Sequence, residues 1–215
     1  MALNKSKGQM YPWVDSTWNP IGGRCPHQCS YCYMRRLPLG ELRLRAGYLK
    51  DKLGQGQVIF VGSSCDMWAE EVPTAWIDRV LARCREFPQT TFLFQSKNPA
   101  RFKDFLFPPS VILGTTLESN RYLAHISLAP SPLERTLAMQ QLPSRKMASI
   151  EPVMDFDLDL FISWLWYMAP EFVSIGADSK GHSLPEPSPT KLRALIEKLE
   201  EFTEVKQKSN LSRLL

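Results

Sequence analysis

The chain has 215 residues, of which 44% are hydrophobic and 22% are charged, and its formal net charge is +4. This composition suits one globular domain with a sizeable core, and it argues against a disordered chain. The mild positive charge permits an anionic partner without requiring one. We predict a single domain over residues 1–215, in which residues 205–215 form a flexible or capping tail.

The sequence gives no sign of a membrane or secretory protein. The most apolar segment, Phe156–Ala169, is too short to cross a bilayer and contains two aspartates. The first residues lack the apolar run of a signal peptide. Five cysteines, three of them within eight residues, do not resemble a secreted disulfide framework. We therefore expect a cytoplasmic protein with no membrane partner.

Short apolar segments alternate with helix-like segments along the chain. The predicted strands are Pro12–Thr17, Gln57–Gly62, Thr90–Gln95, Ser110–Thr115, Arg145–Ile150 and Glu171–Ile175. The predicted helices are Met34–Leu49, Pro73–Phe87, Pro99–Phe105, two within Asn120–Leu142 separated by Pro130 and Pro132, Leu158–Met168 and Ser188–Phe202. Repeated strand–helix units predict an α/β fold with a parallel sheet, either doubly wound or a partial barrel of fewer than eight units.

Polar residues follow each predicted strand, at the end where parallel α/β folds place their chemistry. These segments are Trp18–Pro20 with the cysteines after it, Ser63–Asp66, Ser96–Asn98, Thr116–Asn120, Glu151–Pro152 and Ala177–Lys180. Loops are commonly polar for solubility alone. Because all six strand ends share this character, we favour an active site at one rim of the fold.

Three cysteines occur in the stretch Cys25-Pro-His-Gln-Cys29-Ser-Tyr-Cys32, a C-x3-C-x2-C spacing. Clustered thiolates bind soft metals, and iron–sulfur clusters normally take four of them. With three cysteines close together, one iron of a [4Fe–4S] cluster would lack a protein ligand and would be open to substrate. The alternatives are a structural zinc site completed by Cys65 or His27, and an electron-carrying cluster with Cys65 as its fourth ligand.

The cysteine motif, with Tyr31 before its third cysteine, resembles the signature of the radical S-adenosylmethionine (SAM) superfamily. Further stretches are similar to a compact radical SAM family with a three-cysteine motif that is found in phages and bacteria: Thr17–Pro20, Phe60–Met67, Val72-Pro73 with Trp76–Val80, and Ser149–Pro152. The resemblance implies a partial (β/α)6 TIM-type barrel. It also implies a [4Fe–4S] cluster with Cys25, Cys29 and Cys32 as metal ligands.

The resemblance implies a reaction as well. In radical SAM enzymes the open iron chelates SAM, and one electron cleaves it to methionine and a 5′-deoxyadenosyl radical that abstracts hydrogen from the substrate. The electron comes from a donor of flavodoxin or ferredoxin type. The family commonly has Met-Ser-Asp near the second strand and Gly-Gly-Glu-Ser after the sixth. This chain has Cys65-Asp66 and Gly176–Ser179 there, which leaves its substrate open.

The SAM contacts are assigned by strand end. Ser63, Ser64 and Asp66, after the second strand, are candidates for the ammonium group of SAM. Glu118 and Asn120, or Thr116, are candidates for the ribose hydroxyls, and Glu118 has the alternative role of a charge in the first turn of a helix. The adenine would contact Tyr31 and the segment around Ile150–Val153. Glu151 would contact SAM or substrate, or brace the rim.

Cys65 is the candidate catalytic residue, because a thiol near the radical can return a hydrogen atom to the substrate. Burial as a small apolar side chain is the alternative for Cys65, and it is the role predicted for Cys84. Lys97, Asp178 and Lys180 are either substrate-side residues or ordinary solvated charges.

The substrate class stays open at this point. A laterally open barrel suits a nucleic acid, a nucleoside or a peptide. Four arginines, Arg35, Arg36, Arg43 and Arg45, form either a basic patch or a solvated face. Two classes of function remain: a radical SAM enzyme, and a non-catalytic iron–sulfur or metal-binding protein that uses the α/β scaffold for interaction.

Overall fold

A computed structural model describes residues 3–123 and 125–215 of the chain. Its strands, in chain order, are β1 (Leu3–Lys5), β2 (Ser16–Trp18), β3 (Ile21–Gly22), β4 (Arg43–Leu44), β5 (Val58–Val61), β6 (Thr91–Ser96), β7 (Val111–Thr116), β8 (Arg145–Ile150), β9 (Phe172–Ile175) and β10 (Glu204–Gln207). Its α-helices are α1 (Thr74–Arg85), α2 (Pro132–Gln140), α3 (Leu158–Met168) and α4 (Pro189–Glu200). Short 3₁₀ helices occur at Tyr33–Arg36, Ala46–Lys50, Pro99–Asp104 and Ser209–Leu214.

The central sheet has the order β1-β2-β5-β6-β7-β8-β9-β10. β1 pairs antiparallel with β2, and each later neighbouring pair in this order is parallel. The strand order follows the chain order without reversing. A doubly wound sheet reverses its strand order at a switch point, whereas a barrel does not. The fold is therefore α/β with the architecture of a partial TIM-type barrel, which confirms the predicted fold class.

The two faces of the sheet bury different side chains, because successive residues of a strand point to opposite sides. Ile59, Phe92 and Val173 pack beneath the helices in the larger core. Residues at the alternate positions form a second apolar cluster with the segment that precedes β2, and its members are Tyr11, Val14, Phe60, Leu93, Ile112, Met147 and Phe172. This second cluster fills part of the barrel interior.

Helix ends follow their local sequence signals. Ser131 caps α2 in a capping box with Glu134, and Pro132 is the first helical residue. Ser188 caps α4 by accepting a hydrogen bond from the backbone N–H of Lys191. Cys84 is fully buried on α1, as predicted. Among the residues that the structure describes, no helix is long and apolar enough to span a membrane.

The prediction of a helix over Met34–Leu49 is wrong. This segment contains the end of one 3₁₀ helix, the strand β4 and most of a second 3₁₀ helix. Pro38 and Gly40 interrupt any continuous helix over this segment. β4 then pairs with β3 and fixes the segment that follows the cysteines.

Two other boundaries differ from prediction. Within Asn120–Leu142 only the second helix forms, as α2, and the described residues before Pro130 are irregular; Ala124 lies outside the described residues. The first strand covers Ser16–Trp18 rather than Pro12–Thr17, since the residues before it pack against the barrel end. The remaining predicted strands agree with the structure to within one or two residues.

The predicted polar tail is ordered. Residues 204–207 form β10, which pairs in parallel with β9, and residues 209–214 form a 3₁₀ helix. Lys208 is 8% exposed, although a lysine in a free tail would be solvated. The sheet therefore gains an edge strand from a segment whose composition alone does not indicate a strand.

Candidate functional site

A cavity of about 650 Å³ opens at the carboxyl ends of the parallel strands. The polar segments predicted to meet at this rim contribute to it. From the candidate site residues it is lined by Cys25, Cys29, Tyr31, Cys32, Ser63, Ser64, Cys65, Asp66 and Glu151, and from the substrate-side candidates by Lys97, Asp178 and Lys180. Glu118 and Asn120 do not line it.

The cysteine loop is irregular and is held by backbone hydrogen bonds. Within the loop, the N–H of Cys32 donates to the carbonyl of Cys29 at 3.1 Å, and Gln28 has a φ of +47°. From outside, the segment before α2 fixes the loop, since Leu128 N–H donates to the His27 carbonyl at 2.8 Å. These bonds hold the irregular loop, whose three cysteines line one wall of the cavity.

The thiols of this wall differ in their electrostatics. A hydrogen bond from the Cys65 thiol lowers the pKa of Cys25 to about 6, in spite of burial and the nearby Asp66. The same hydrogen bond, together with burial, raises the pKa of Cys65. Burial raises the pKa of Cys32, with a contribution from Cys29 and Cys25. Cys25 is therefore the favoured thiolate, and Cys65 remains its protonated donor.

The donor set fits an iron–sulfur cluster in its chemistry. Three thiols share one cavity wall, and the thiolate, which is the metal-binding form of cysteine, is favoured at Cys25. Within residues 3–123 and 125–215, no three His, Cys, Asp or Glu side chains are placed to hold a metal ion as they stand. The sulfurs therefore supply suitable ligands without forming a finished metal cage.

Asp66 is a fully hydrogen-bonded buried carboxylate. It accepts from His27 Nε2 at 2.8 Å, Ser96 Oγ at 3.0 Å, Lys97 N–H at 2.8 Å and Trp68 N–H at 2.9 Å. Burial opposes its charge, but the His27 hydrogen bond and charge and the backbone donors hold its pKa below the ordinary value. Asp66 thus ties the cysteine loop to the ends of β5 and β6.

Glu118 forms a second buried charge cluster behind the cavity wall. Its carboxylate contacts Arg135 Nη1 at 2.8 Å and Lys97 Nζ at 3.4 Å, and it accepts a hydrogen bond from the Tyr31 hydroxyl. Burial opposes its charge, yet Arg135, Lys97 and Tyr31 together lower its pKa to about 2. The cluster fixes the Tyr31 ring, over which the Lys97 ammonium lies at 5.4 Å from the centroid.

Asn120 lies outside the cavity. Its side-chain amide donates to the Asp157 carbonyl at 3.0 Å and accepts from the Asp157 N–H at 2.9 Å. Thr116, the other ribose candidate, does line the cavity and accepts a hydrogen bond from Gln95 Nε2 at 3.0 Å. Asn120 therefore joins the loops after β7 and β8, whereas Thr116 faces the cavity.

The loop after β5 takes its shape from Asn19. The Asn19 side-chain oxygen accepts from the Ser64 N–H at 2.9 Å and from the Ser63 hydroxyl at 3.3 Å. Gly62, with a φ of +81°, permits the sharp turn at the end of β5. The two serines are thereby held on the cavity surface.

Glu151 lies at the end of β8 and pairs with Lys208 at 2.8 Å. Burial raises the pKa of Glu151, although the Lys208 charge and hydrogen bond act against this. Lys208 also lies 5.0 Å from the centroid of the Tyr11 ring. The Tyr11 hydroxyl donates to Gln95 Oε1 at 2.9 Å and lies within hydrogen-bond distance, 2.8 Å, of the Ser149 hydroxyl. Sequence reasoning missed Lys208 and Tyr11, because both come from segments assigned no site role.

Asp178 and His182 form a pair at the cavity mouth that the sequence analysis did not predict. His182 Nδ1 lies 2.6 Å from Asp178 Oδ1, and the backbone N–H of Lys180 donates to the same carboxylate at 3.1 Å. Burial disfavours the charge of Asp178, but these donors lower its pKa. The four-residue spacing of the acid and the imidazole in one loop is the signal that would have found the pair.

Solved structures with a similar fold are those of spore photoproduct lyase. A cysteine-to-serine variant aligns with a TM-score of 0.66 and 10% sequence identity over 93% of this chain and 78% of that chain. A double variant with bound AdoMet and dinucleoside spore photoproduct aligns with a TM-score of 0.59 and 11% identity over 91% of this chain and 64% of that chain. At this identity the likeness establishes the fold.

Sequence comparison identifies the family. None of the curated proteins is a significant match to this chain. Residues 9–183 match a protein family described as "Protein of unknown function (DUF5131)". That match covers the cysteine loop and the strands from β2 to β9. The chain is therefore a member of the DUF5131 family.

Proposed function

We propose that this protein is a radical SAM enzyme that binds a [4Fe–4S] cluster through Cys25, Cys29 and Cys32. One observation carries the proposal: the three thiols of a C-x3-C-x2-C motif line one wall of the cavity at the carboxyl ends of a partial barrel. Electrostatics support it, because the Cys65 hydrogen bond favours the thiolate form of Cys25. The fold likeness to a structure with bound AdoMet supports it independently.

The cluster would supply the electron that cleaves SAM into methionine and a 5′-deoxyadenosyl radical. The chain's own residues bind and shield. Three cysteines would leave one cluster iron without a protein ligand, and Cys65 would serve as a hydrogen-bond donor to Cys25 rather than as a fourth ligand. The apolar side chains of Met34 and Phe60 and the ring of Tyr33 line the same cavity and give it apolar surface beside the cysteines.

We assign the SAM-binding residues by asking which polar side chains at the site are not already fully hydrogen-bonded within the protein. Asp66 and Glu118 already accept several hydrogen bonds from the protein, so we assign them to positioning. Ser63 and Ser64 remain on the cavity surface as candidates for the ammonium group of SAM. Thr116 is better placed than Asn120 for the ribose, and Tyr31 is the candidate for the adenine.

Two further roles complete the proposal. The substrate is a nucleic acid, nucleoside or peptide, and Cys65 is the candidate donor that returns a hydrogen atom to it. The reducing electron is supplied by a donor protein of flavodoxin or ferredoxin type. Glu151, at the end of β8, is a candidate contact to SAM or substrate, and its pairing with Lys208 favours a bracing role in the free protein.

Reductive cleavage of SAM tests the proposal. The protein is reconstituted anaerobically with iron and sulfide, reduced with dithionite and supplied with SAM, and 5′-deoxyadenosine is measured by chromatography. We expect 5′-deoxyadenosine from the wild-type protein and from C84A, whose cysteine is buried on α1 away from the cavity. We expect none from C29A.

The other results would contradict the proposal. An iron–sulfur protein that never cleaves SAM would instead be a non-catalytic metal-binding protein. A colourless protein that retains zinc would exclude the cluster. Loss of 5′-deoxyadenosine in C84A as well as C29A would mean that cysteine substitution acts through folding, which circular dichroism of both variants would reveal.

A further inference from the structure

The charges of the cavity are distributed unevenly between its interior and its mouth. In the interior, the acids have basic side chains beside them: Asp66 contacts His27, and Glu151 pairs with Lys208. At the mouth, Asp178 contacts His182. Each of these acidic side chains is therefore already engaged by a neighbouring side chain of the protein.

Three cationic side chains at the mouth of the cavity have no acidic partner among the described residues. Lys7 and Lys180 line the cavity, and in the part of the chain that the structure describes neither makes an ion pair. Arg36 is exposed beside them and donates to the Lys180 carbonyl at 3.5 Å, again without an acidic partner among those residues. Three separate segments thus bring unneutralised positive charge to one rim.

An aromatic ring lies on the same rim. Tyr33 lines the cavity and is 50% exposed, although large aromatic side chains are usually buried. Its hydroxyl donates to the Ser63 carbonyl at 3.2 Å, which holds the ring in place. Arg35 and Arg36 follow it in the same 3₁₀ helix and are both exposed. The predicted four-arginine patch is divided, because the Arg45 guanidinium packs against Gly22 and Tyr48 instead.

We infer that this rim, defined by Lys7, Tyr33, Arg36 and Lys180, binds single-stranded nucleic acid. A basic groove that follows the phosphates, with an aromatic ring on which a base stacks, is the usual arrangement for a single strand. An acidic peptide would use the cations but would leave the Tyr33 face without a function. The inference deepens the proposed function, on which it rests for the chemistry, by naming the substrate class.

Binding to a fluorescein-labelled single-stranded oligodeoxynucleotide of mixed sequence, measured by fluorescence anisotropy, tests the inference. We expect Y33L to weaken binding roughly tenfold through loss of one stacked base. We expect the double variant R36E/K180E to weaken binding at least as much, and to reduce the dependence of log K on log salt by about 0.7 per lost phosphate contact.

Matched variants on other faces provide the controls. Y167L removes a tyrosine that is 66% exposed on α3, and R79E/K103E changes the net charge by the same amount on exposed residues outside the cavity. Both should bind the oligonucleotide as the wild type does. Three results would overturn the inference. They are the same loss of affinity in the control variants as in the rim variants, the same affinity for duplex as for single-stranded DNA, and displacement of the oligonucleotide by polyglutamate as effective as displacement by unlabelled oligonucleotide.

The outcome is separable from that of the proposed function, because oligonucleotide binding is measured on the protein both before and after cluster reconstitution. If the rim binds the oligonucleotide but the protein never cleaves SAM, the proposed enzyme activity is wrong and the inference about the rim stands. If the protein cleaves SAM but its rim variants bind the oligonucleotide as the wild type does, the inference about the rim is wrong and the proposed enzyme activity stands.

Discussion

Two sides of the functional site differ in how completely their polar groups are paired. On the side formed by Asp66, which lines the cavity, and Glu118, which lies behind its wall, each carboxylate has at least three interactions with protein groups. On the side formed by Cys25, Cys29 and Cys32, the sulfurs have few partners, such as the Ser127 hydroxyl 3.2 Å from Cys29. Carboxylates are strong acceptors that need pairing when buried, whereas thiols tolerate burial.

This difference separates residues that hold the site from residues that are free to bind. A carboxylate that the protein has already paired gains little from a ligand, so it serves geometry and stability. A thiol with little internal pairing keeps its capacity for a metal. Substitutions on the carboxylate side should therefore change the free energy of unfolding, and substitutions on the thiol side should change metal content.

The largest expected effect concerns iron. C25A, C29A and C32A should each abolish iron and sulfide binding after reconstitution, because a cluster with two thiolates is not retained. C84A should bind as much iron as the wild type. C65A should also keep its iron, because Cys65 is assigned as a hydrogen-bond donor to Cys25 and not as a ligand. Iron and sulfide assays measure each variant.

The Cys65 variant is the informative one in this set. Loss of the cluster in C65A, to the same extent as in C29A, would indicate four thiolate ligands and an electron-carrying cluster with no open iron.

The next effect is on stability. E118Q should lower the free energy of unfolding by about 3–5 kcal/mol, because it leaves the buried Arg135 and Lys97 without their anion. E171Q, which breaks the exposed pair with Arg145, should cost under about 1 kcal/mol. Urea unfolding followed by circular dichroism measures both. Similar losses in the two variants would mean that Glu118 is not the buried charge described above.

Lowering the pH should reduce the free energy of unfolding of the wild-type protein, as the E118Q substitution does. The pKa of Glu118 is about 2 in the folded protein against an ordinary value of 4.5, so its contribution is present above pH 4.5 and is lost as the pH falls toward 2. The contribution is on the order of 3 kcal/mol. E118Q should therefore lose less stability than the wild type over this pH range. Parallel pH profiles in urea unfolding would contradict the assignment.

The smallest effect concerns the ion pair between Glu151 and Lys208. K208M should cost about 1–2 kcal/mol, since it removes the partner of the mostly buried Glu151, which can take up a proton in response. K206M, at the neighbouring and more exposed pair with Glu204, should change stability by less than about 1 kcal/mol. Thermal unfolding compares the two. A larger loss of stability in K206M than in K208M would mean that the Glu151–Lys208 pair is not the more buried of the two.

The sequence was sufficient to predict the parallel strands β5 to β9 and the meeting of polar residues at their carboxyl ends. Runs such as Val58–Val61 and Val111–Thr116 are apolar because both faces of a parallel strand are covered. The cavity follows from the rule that the carboxyl ends of parallel strands share one rim. Both inferences use short-range patterns that a single sequence contains.

Long-range pairing was beyond such patterns. Asn120 follows a strand like the cavity residues, but its amide is taken by Asp157, which is distant in sequence. Lys208 is buried only because Glu151 and the Tyr11 ring lie beside it. The segment after the cysteines was predicted to be a helix, yet pairing of β4 with β3 determines its local structure. In each case a tertiary partner decides the outcome.

The central claim is that three thiolates hold an iron–sulfur cluster with one iron free to bind SAM. The electron paramagnetic resonance spectrum of the dithionite-reduced, reconstituted protein, recorded before and after addition of SAM, tests it most directly. We predict a reduced-cluster signal whose shape changes when SAM binds to the open iron. A signal that SAM leaves unchanged, or no cluster signal at all, would contradict the account.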